Sequence, residues 1–548
     1  MRITPVISVL RTTSRRAAAA SAVPAANSAP RQAGWVGRKS YLTLAVLLTA
    51  ASLGCDEEVV YQDRPPFNPP PDASSGFLGY YDETVKQTTC GNCHADFHGS
   101  WSATAHARAY TTLNSNSGKQ DSCFSCHTVT GKGNSASGTP AGHDKVKDAA
   151  YFDVQCESCH GQGLEHVEGV GMGTLVRPLA KLNAAQTGTC SDCHSGAHHP
   201  FADEWKMSRH ATVNASRASD PGCAPCHEGR GALNRWGIDA NYVEKANATD
   251  YQPVAACAIC HDPHGSANPA QLRFPVTSQD PEQNLCIKCH LRRGEPEPPS
   301  TVKPHAPQGA VLLGYAGWRP PNFAYDTSKI YGTHATTKNP KLCAGCHVSK
   351  FTVTDASSGN FVFAATGHLM RPIPCLDAQG KPTADKTCAY NTTARSWQSC
   401  TQSGCHGDAT AANNAFNTVR DRMARLTGDL WQDLNKDGNI QAAPTDGGLL
   451  ATLKGTRPNE WSTSEITPAE GAEFNARLCG EYGSSNADNS KGVHNPFLCE
   501  ALLNSTFTFL KSHYGLSAVT ASEKVSMEGP IGGARSHAKL VSDTRPAP

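Results

Sequence analysis

Eight times the chain places two cysteines two residues apart and follows the second with a histidine. The sets are Cys90, Cys93, His94; Cys123, Cys126, His127; Cys156, Cys159, His160; Cys190, Cys193, His194; Cys223, Cys226, His227; Cys257, Cys260, His261; Cys286, Cys289, His290; and Cys343, Cys346, His347. A ninth set, Cys400, Cys405 and His406, has four residues between its cysteines. Cys-x-x-Cys-His is the pattern of covalent c-type haem attachment. The two thiols add across the two vinyl groups of the porphyrin, and the adjoining histidine lies under the ring and faces the iron. Zinc knuckles and disulfides also use paired cysteines, but neither needs a histidine after every pair. The sequence therefore implies nine covalent haems, numbered here in chain order.

Each iron has a sixth position to fill. Of 23 histidines nine belong to the motifs, which leaves 14; the chain has 6 methionines, one of them Met1. Histidine on both faces is the economical reading, and it gives lower potentials than histidine–methionine ligation. His305, His334 and His368 each stand between motifs, where a loop can fold back over a ring. Of the neighbours His198 and His199, the second is favoured.

Some stretches resemble known haem proteins. "CGNCH…WSATAHA", "CFSCHTVTG", "CESCHGQGLEHV" and "CSDCH" resemble the tetrahaem cytochrome family of ammonia oxidisers over about residues 85–210. That resemblance implies distal roles for His106 and His166. A repeat, "WSATAHA" at Trp101 and "WKMSRHA" at Trp205, carries the role of His106 to His210. "CAICHDPHGS…LCIKCH" resembles the paired-motif multihaem cytochromes and implies His264 as a ligand. "VHNPFLCEALL" is similar to the His-Asn-Pro helix start of pentahaem nitrite reductases and implies His494. The wide ninth motif resembles the spacing in small tetrahaem cytochromes of sulfate reducers. His494 is the nearest histidine downstream of His406, which suggests that the C-terminal region folds back onto haem nine.

The N-terminus carries seven basic residues and no acid before Asp56, followed by the apolar stretch "YLTLAVLLTAASLG". That stretch suits a signal-peptide core better than a membrane span. Residues 1–54 read as a signal peptide, and Cys55 directly after them resembles a bacterial lipoprotein site, so a lipid on Cys55 would tether the protein to a membrane. Export is the expectation, to the periplasm, the outer membrane as a lipoprotein, or the cell surface. Formal charge is +1, but without residues 1–54 there remain 42 basic and 48 acidic residues, net −6. A nucleic-acid partner is thereby disfavoured.

Residues 55–76 are acidic and then proline-rich, a semi-extended tether. Residues 77–408 hold the nine motifs; the first six intervals between leading cysteines are nearly equal, and the last two are longer and equal to each other. Between motifs, Gly, Pro, Asn, Ser and Thr dominate. The fold class expected is a multihaem cytochrome c fold: mostly loops and short α-helices packed around haems, little β-structure and a helical C-terminal region, 409–548. There "NNAFNTVRDRMARLTGDLWQDL" and "FLCEALLNSTFTFLKSHY" carry helical periodicity. "DLNKDGNI" resembles the start of a Ca2+ loop at Asp433, although Pro444 stands where the closing acid belongs; a surface turn is the plainer reading. Cys375 with Cys388 and Cys479 with Cys499 are candidate disulfides.

All nine haems must share the short stretch from Cys90 to His406, so the rings must pack closely and electrons can hop between them. An electron carrier serving redox partner proteins or extracellular electron acceptors follows. A multihaem oxidoreductase of nitrogen or sulfur compounds with one open haem is a second reading, and a filament-forming extracellular cytochrome a third.

Overall fold

The computed structural model describes residues 67–516, apart from 135–139, 171, 174, 181–187, 239–250, 299–302, 322, 324–332, 403–404, 462–463 and 481–486. Residues 1–54, expected as a signal peptide, and Cys55 lie outside the described residues. Among the described residues no helix is long and apolar enough to cross a membrane.

Two regimes of packing divide the chain. From 77 to 408 the backbone runs in turns and short helices, several of which carry a motif, such as Asp121–His127, Glu157–His160, Cys257–Cys260 and Cys343–His347. The described strands form two antiparallel hairpins. β1 (Tyr80–Asp82) pairs with β2 (Gln87–Thr88), and β3 (Phe351–Thr354) with β4 (Phe361–Ala365). Protein side chains alone build only small apolar clusters here, such as Phe77, Val129, Ala141 and Tyr151. So much irregular backbone needs side-chain partners for its polar groups. Glu157, buried, accepts hydrogen bonds from the N–H groups of Leu78, Gly79 and Gly163 at 2.8–3.0 Å. Glu204 does the same for Thr366 and His368.

The C-terminal region builds a conventional core. Four helices form it: α1 (Ala409–Leu430), α2 (Gly448–Thr456), α3 (Pro468–Cys479) and α4 (Pro496–Tyr514). Asp408 caps α1 by accepting from Ala411 N–H, and Ala412, Val419, Met423 and Leu430 line its buried face at helical spacing. Thr467 and Glu470 close a capping box over α3, with Pro468 at its first position. Asn495 caps α4, and Gly515 ends it at φ +67°, a conformation that glycine adopts without steric cost. Leu449, Leu450, Phe474, Leu478, Leu498 and Leu502 meet in the centre. Two disulfides are present, Cys375–Cys388 and Cys479–Cys499; the second pins the end of α3 to the start of α4.

Candidate haem sites

The motif helices present their cysteines and histidines to one large cavity of ≈ 2750 Å3, lined by residues from motifs two to nine. Motif one lies at the periphery, with Cys93 exposed. Imidazoles face one another in pairs, five of them across this cavity and two, His94–His166 and His160–His264, outside its lining. His94 and His166 have ring centres 6.4 Å apart, His160 and His264 6.1 Å, His106 and His194 6.2 Å, and His210 and His290 6.1 Å. His227 and His305 are 6.2 Å apart, His261 and His368 6.4 Å, and His347 and His494 6.2 Å. Each of these seven pairs joins a motif histidine to a distal candidate. A metal held by two imidazoles needs bonds of about 2 Å on each side. Adding about 1 Å from each nitrogen to its ring centre gives a separation of roughly 6 Å. The observed gaps therefore fit one iron between each pair of rings.

The ring nitrogens are turned for the same purpose. His127 Nδ1 lies 3.0 Å from the Ala109 carbonyl, His160 Nδ1 3.0 Å from Pro178, His261 Nδ1 2.7 Å from Ala270 and His347 Nδ1 3.0 Å from Met370. Among distal candidates His166 Nδ1 is 2.7 Å from Val176 O and His334 Nδ1 2.7 Å from Val493 O. An Nδ1–H that donates to a carbonyl fixes the tautomer and leaves the Nε2 lone pair for a metal. Burial, then neighbouring histidines, push His194 and His210 down to about 4; burial is likewise the leading cause at His347 and His368, also about 4. These rings are neutral at neutral pH, the form that binds iron. His494 moves the other way: burial lowers it, but Asp488, with Oδ1 2.6 Å from Nδ1, raises it above the usual range.

His494 corrects an expectation. It faces His347 of haem eight, not His406 of haem nine. The reason is connectivity. α1 starts directly after the ninth motif and packs against the motif helix Gln398–Thr401. Its 22 residues of helix then carry the chain away before α4 returns. His199 and His106 both lie near His194, at 6.5 and 6.2 Å, while burial and then His127 hold His199 below the ordinary histidine range. His334 lines the same cavity. His143 and His98, not expected as ligands, are placed otherwise: His143 is buried beside Tyr110, Phe124 and Phe152, and His98 contacts Thr88 Oγ1 at 3.1 Å.

Other surroundings suit porphyrins. Phe97, Val176 and Leu179 are exposed beside the histidines of haems one and three, where a ring face would cover them. Near motif nine, Tyr390 carries Arg395 at 3.9 Å and Lys491 at 5.0 Å, cations able to pair with haem carboxylates. The Asp433 carboxylate accepts from the N–H groups of its own loop, Asp437 and Gly438. Asp488, Glu157 and the carbonyls that hold Nδ1 escaped sequence reasoning, because none is one of the motif cysteines or histidines; of these, Asp488 alone carried a signal, an acid shortly before a candidate ligand.

Two family models match the chain: cytochrome c554 and c-prime over residues 89–161, and the doubled CXXCH motif over 252–294. The multiheme cytochrome MtrA of Shewanella baltica is 25% identical over 257 residues, 44% of this chain and 69% of MtrA. The C-type polyheme cytochrome OmcC of Geobacter sulfurreducens is 30% identical over 172 residues, 25% of this chain. The chain spans 22% of OmcC's length. Among solved structures, the outer cell wall cytochrome OcwA matches 79% of this chain and 100% of its own, with 17% identity and a TM-score of 0.44. Both matched family stretches are defined by haem attachment itself, and the facing imidazoles extend the same chemistry beyond them: the chain is a multihaem c-type cytochrome.

Proposed function

We propose that the protein is an exported nonahaem cytochrome that carries electrons from haem to haem between redox partner proteins or to an extracellular acceptor. The observation that carries the reading is the set of seven imidazole pairs at iron-spanning distance. Bound haem supplies the one-electron iron couple. The chain supplies the rest. Its cysteine thiols fix each ring covalently, and Nδ1 hydrogen bonds to carbonyls aim His127, His160, His166, His261, His334 and His347 so that little reorganises there when the iron changes charge. Burial holds His194, His210, His347 and His368 neutral. Histidine on both faces leaves no position for a substrate, which favours transfer over catalysis at those seven haems. His199 serves haem two, and His334 is the remaining distal candidate.

Intact-protein mass and coulometric reduction test this reading together. The expected result is nine haems and nine electrons per chain. A count of eight would remove the ninth motif from the set, and haems that cannot be reduced and reoxidised would remove the carrier role. The same mass spectrum reports whether Cys55 is the first residue and carries lipid.

A further inference from the structure

We infer that the haems form one spine, one–three–four–six–seven–eight–nine, with haems two and five hung from it on haems four and seven; this rests on the carrier reading above. The contacts among attachment sulfurs carry the inference. Cys90 lies beside Cys156, Cys190 beside Cys257 and Cys286 beside Cys343. These are the leading cysteines of haems one and three, four and six, and seven and eight. The second cysteines make the other contacts: Cys126 with Cys193, and Cys226 with Cys289, joining two to four and five to seven. Each sulfur is bonded to its own porphyrin, so sulfurs in contact bring two ring edges together.

Closer neighbours along the chain complete the spine. Cys159 is within electrostatic reach of Cys190 and Cys193, Cys260 of Cys286 and Cys289, and Cys346 of Cys400 and Cys405. Motif helix Glu157–His160 packs on Gly188–Ser191, and Cys343–His347 on Gln398–Thr401. The sulfur contacts of haem two lead to haem four, and those of haem five to haem seven.

A separate observation gives the same period. Trp101 Nε1 donates to the Val154 carbonyl at 2.9 Å, and Trp205 Nε1 to the Ala255 carbonyl at 2.8 Å. Val154 and Ala255 each stand two residues before the leading cysteine of motifs three and six. His106 and His210, from the same repeat, then face His194 of motif four and His290 of motif seven. A three-haem unit thus occurs twice, and in each the middle haem is the side haem. The first haem of the following unit takes its distal histidine from the unit before, which locks the units in register.

Conductance between thiol anchors at exposed positions tests the order, with Val85→Cys near haem one and Thr410→Cys after haem nine. The fully haem-loaded chain is compared with Cys257→Ala/Cys260→Ala, lacking haem six, and Cys223→Ala/Cys226→Ala, lacking haem five. Loss of haem six should lower conductance at least tenfold more than loss of haem five. Equal losses, or a larger loss for haem five, overturn the branched order. A second pair that keeps all nine haems, His368→Met against His305→Met, should show the same ranking and covers the case in which a haem-deleted variant does not fold; the reverse ranking overturns the order too. A parent chain that does not conduct at all would instead sink the carrier reading.

Discussion

Replacing Asp488 with asparagine should raise the potential of haem eight. Asp488 Oδ1 lies 2.6 Å from His494 Nδ1, its side chain is 2% exposed, and Ser490 also bonds it. His494 faces His347 across the site of haem eight. A buried carboxylate pulling on the Nδ1 proton makes the imidazole a stronger donor to iron, and its negative charge favours the ferric state. Hydrogen bonds to charged groups contribute about 1.5–3 kcal/mol. If roughly 1–2 kcal/mol of that distinguishes ferric from ferrous, the one-electron conversion of about 59 mV per 1.4 kcal/mol gives a shift of about 40–90 mV. Asparagine keeps the shape and an acceptor oxygen but removes the charge. Potentiometric titration followed by electron paramagnetic resonance would resolve the shift as one haem in nine moving to more positive potential. An unchanged envelope, or a move to more negative potential, would refute the argument that Asp488 acts through His494 on iron.

Three further outcomes concern the fold. Glu473→Ala should cost about 3–5 kcal/mol in chemical unfolding, because it strands Arg477, 3% exposed and bonded to Glu473 at 2.6–2.7 Å, as an uncompensated buried charge. Gly471→Ala should destabilise by about 1–3 kcal/mol, although alanine in a helix interior normally gains about 1 kcal/mol over glycine, since its methyl group would strike the Trp318 ring; an unchanged midpoint would deny that contact. Burial pushes the Glu157 carboxyl up to about 7 against the pull of three backbone N–H groups. Its folded value lies above the unfolded one, so its contribution to stability is complete below about pH 4.5 and is lost as pH rises through 7. Unfolding midpoints from pH 4.5 to 8 should therefore fall more steeply in the parent than in Glu157→Gln, and parallel profiles would count against it.

The chemistry of this chain is written locally and its architecture is not. Each attachment motif is a contiguous run, so Cys90 to His406 could be read directly. The histidines that face the motif histidines come from far away in sequence: His106, just after motif one, faces His194 of motif four, and His264, just after motif six, faces His160 of motif three. His494 shows the limit most plainly, because nearness along the chain pointed to haem nine while folding placed it at haem eight. α1 and α4 were visible from apolar periodicity. α2 and α3 were not, for opposite reasons: α2 spans only two to three turns, and α3 is buried nearly all round, so it carries no polar stripe to contrast with an apolar one. The β3–β4 hairpin sets an alternating "FTVT" against an apolar "FVFAA" across a Ser-Gly-Asn turn, a pattern overshadowed by the motifs beside it.

Electron paramagnetic resonance of the fully oxidised, haem-loaded protein tests the central claim most directly. The seven facing imidazole pairs predict at least seven low-spin irons with two histidine ligands, and those irons should refuse carbon monoxide after reduction. A dominant high-spin signal, or carbon monoxide bound at three or more haems, would contradict it.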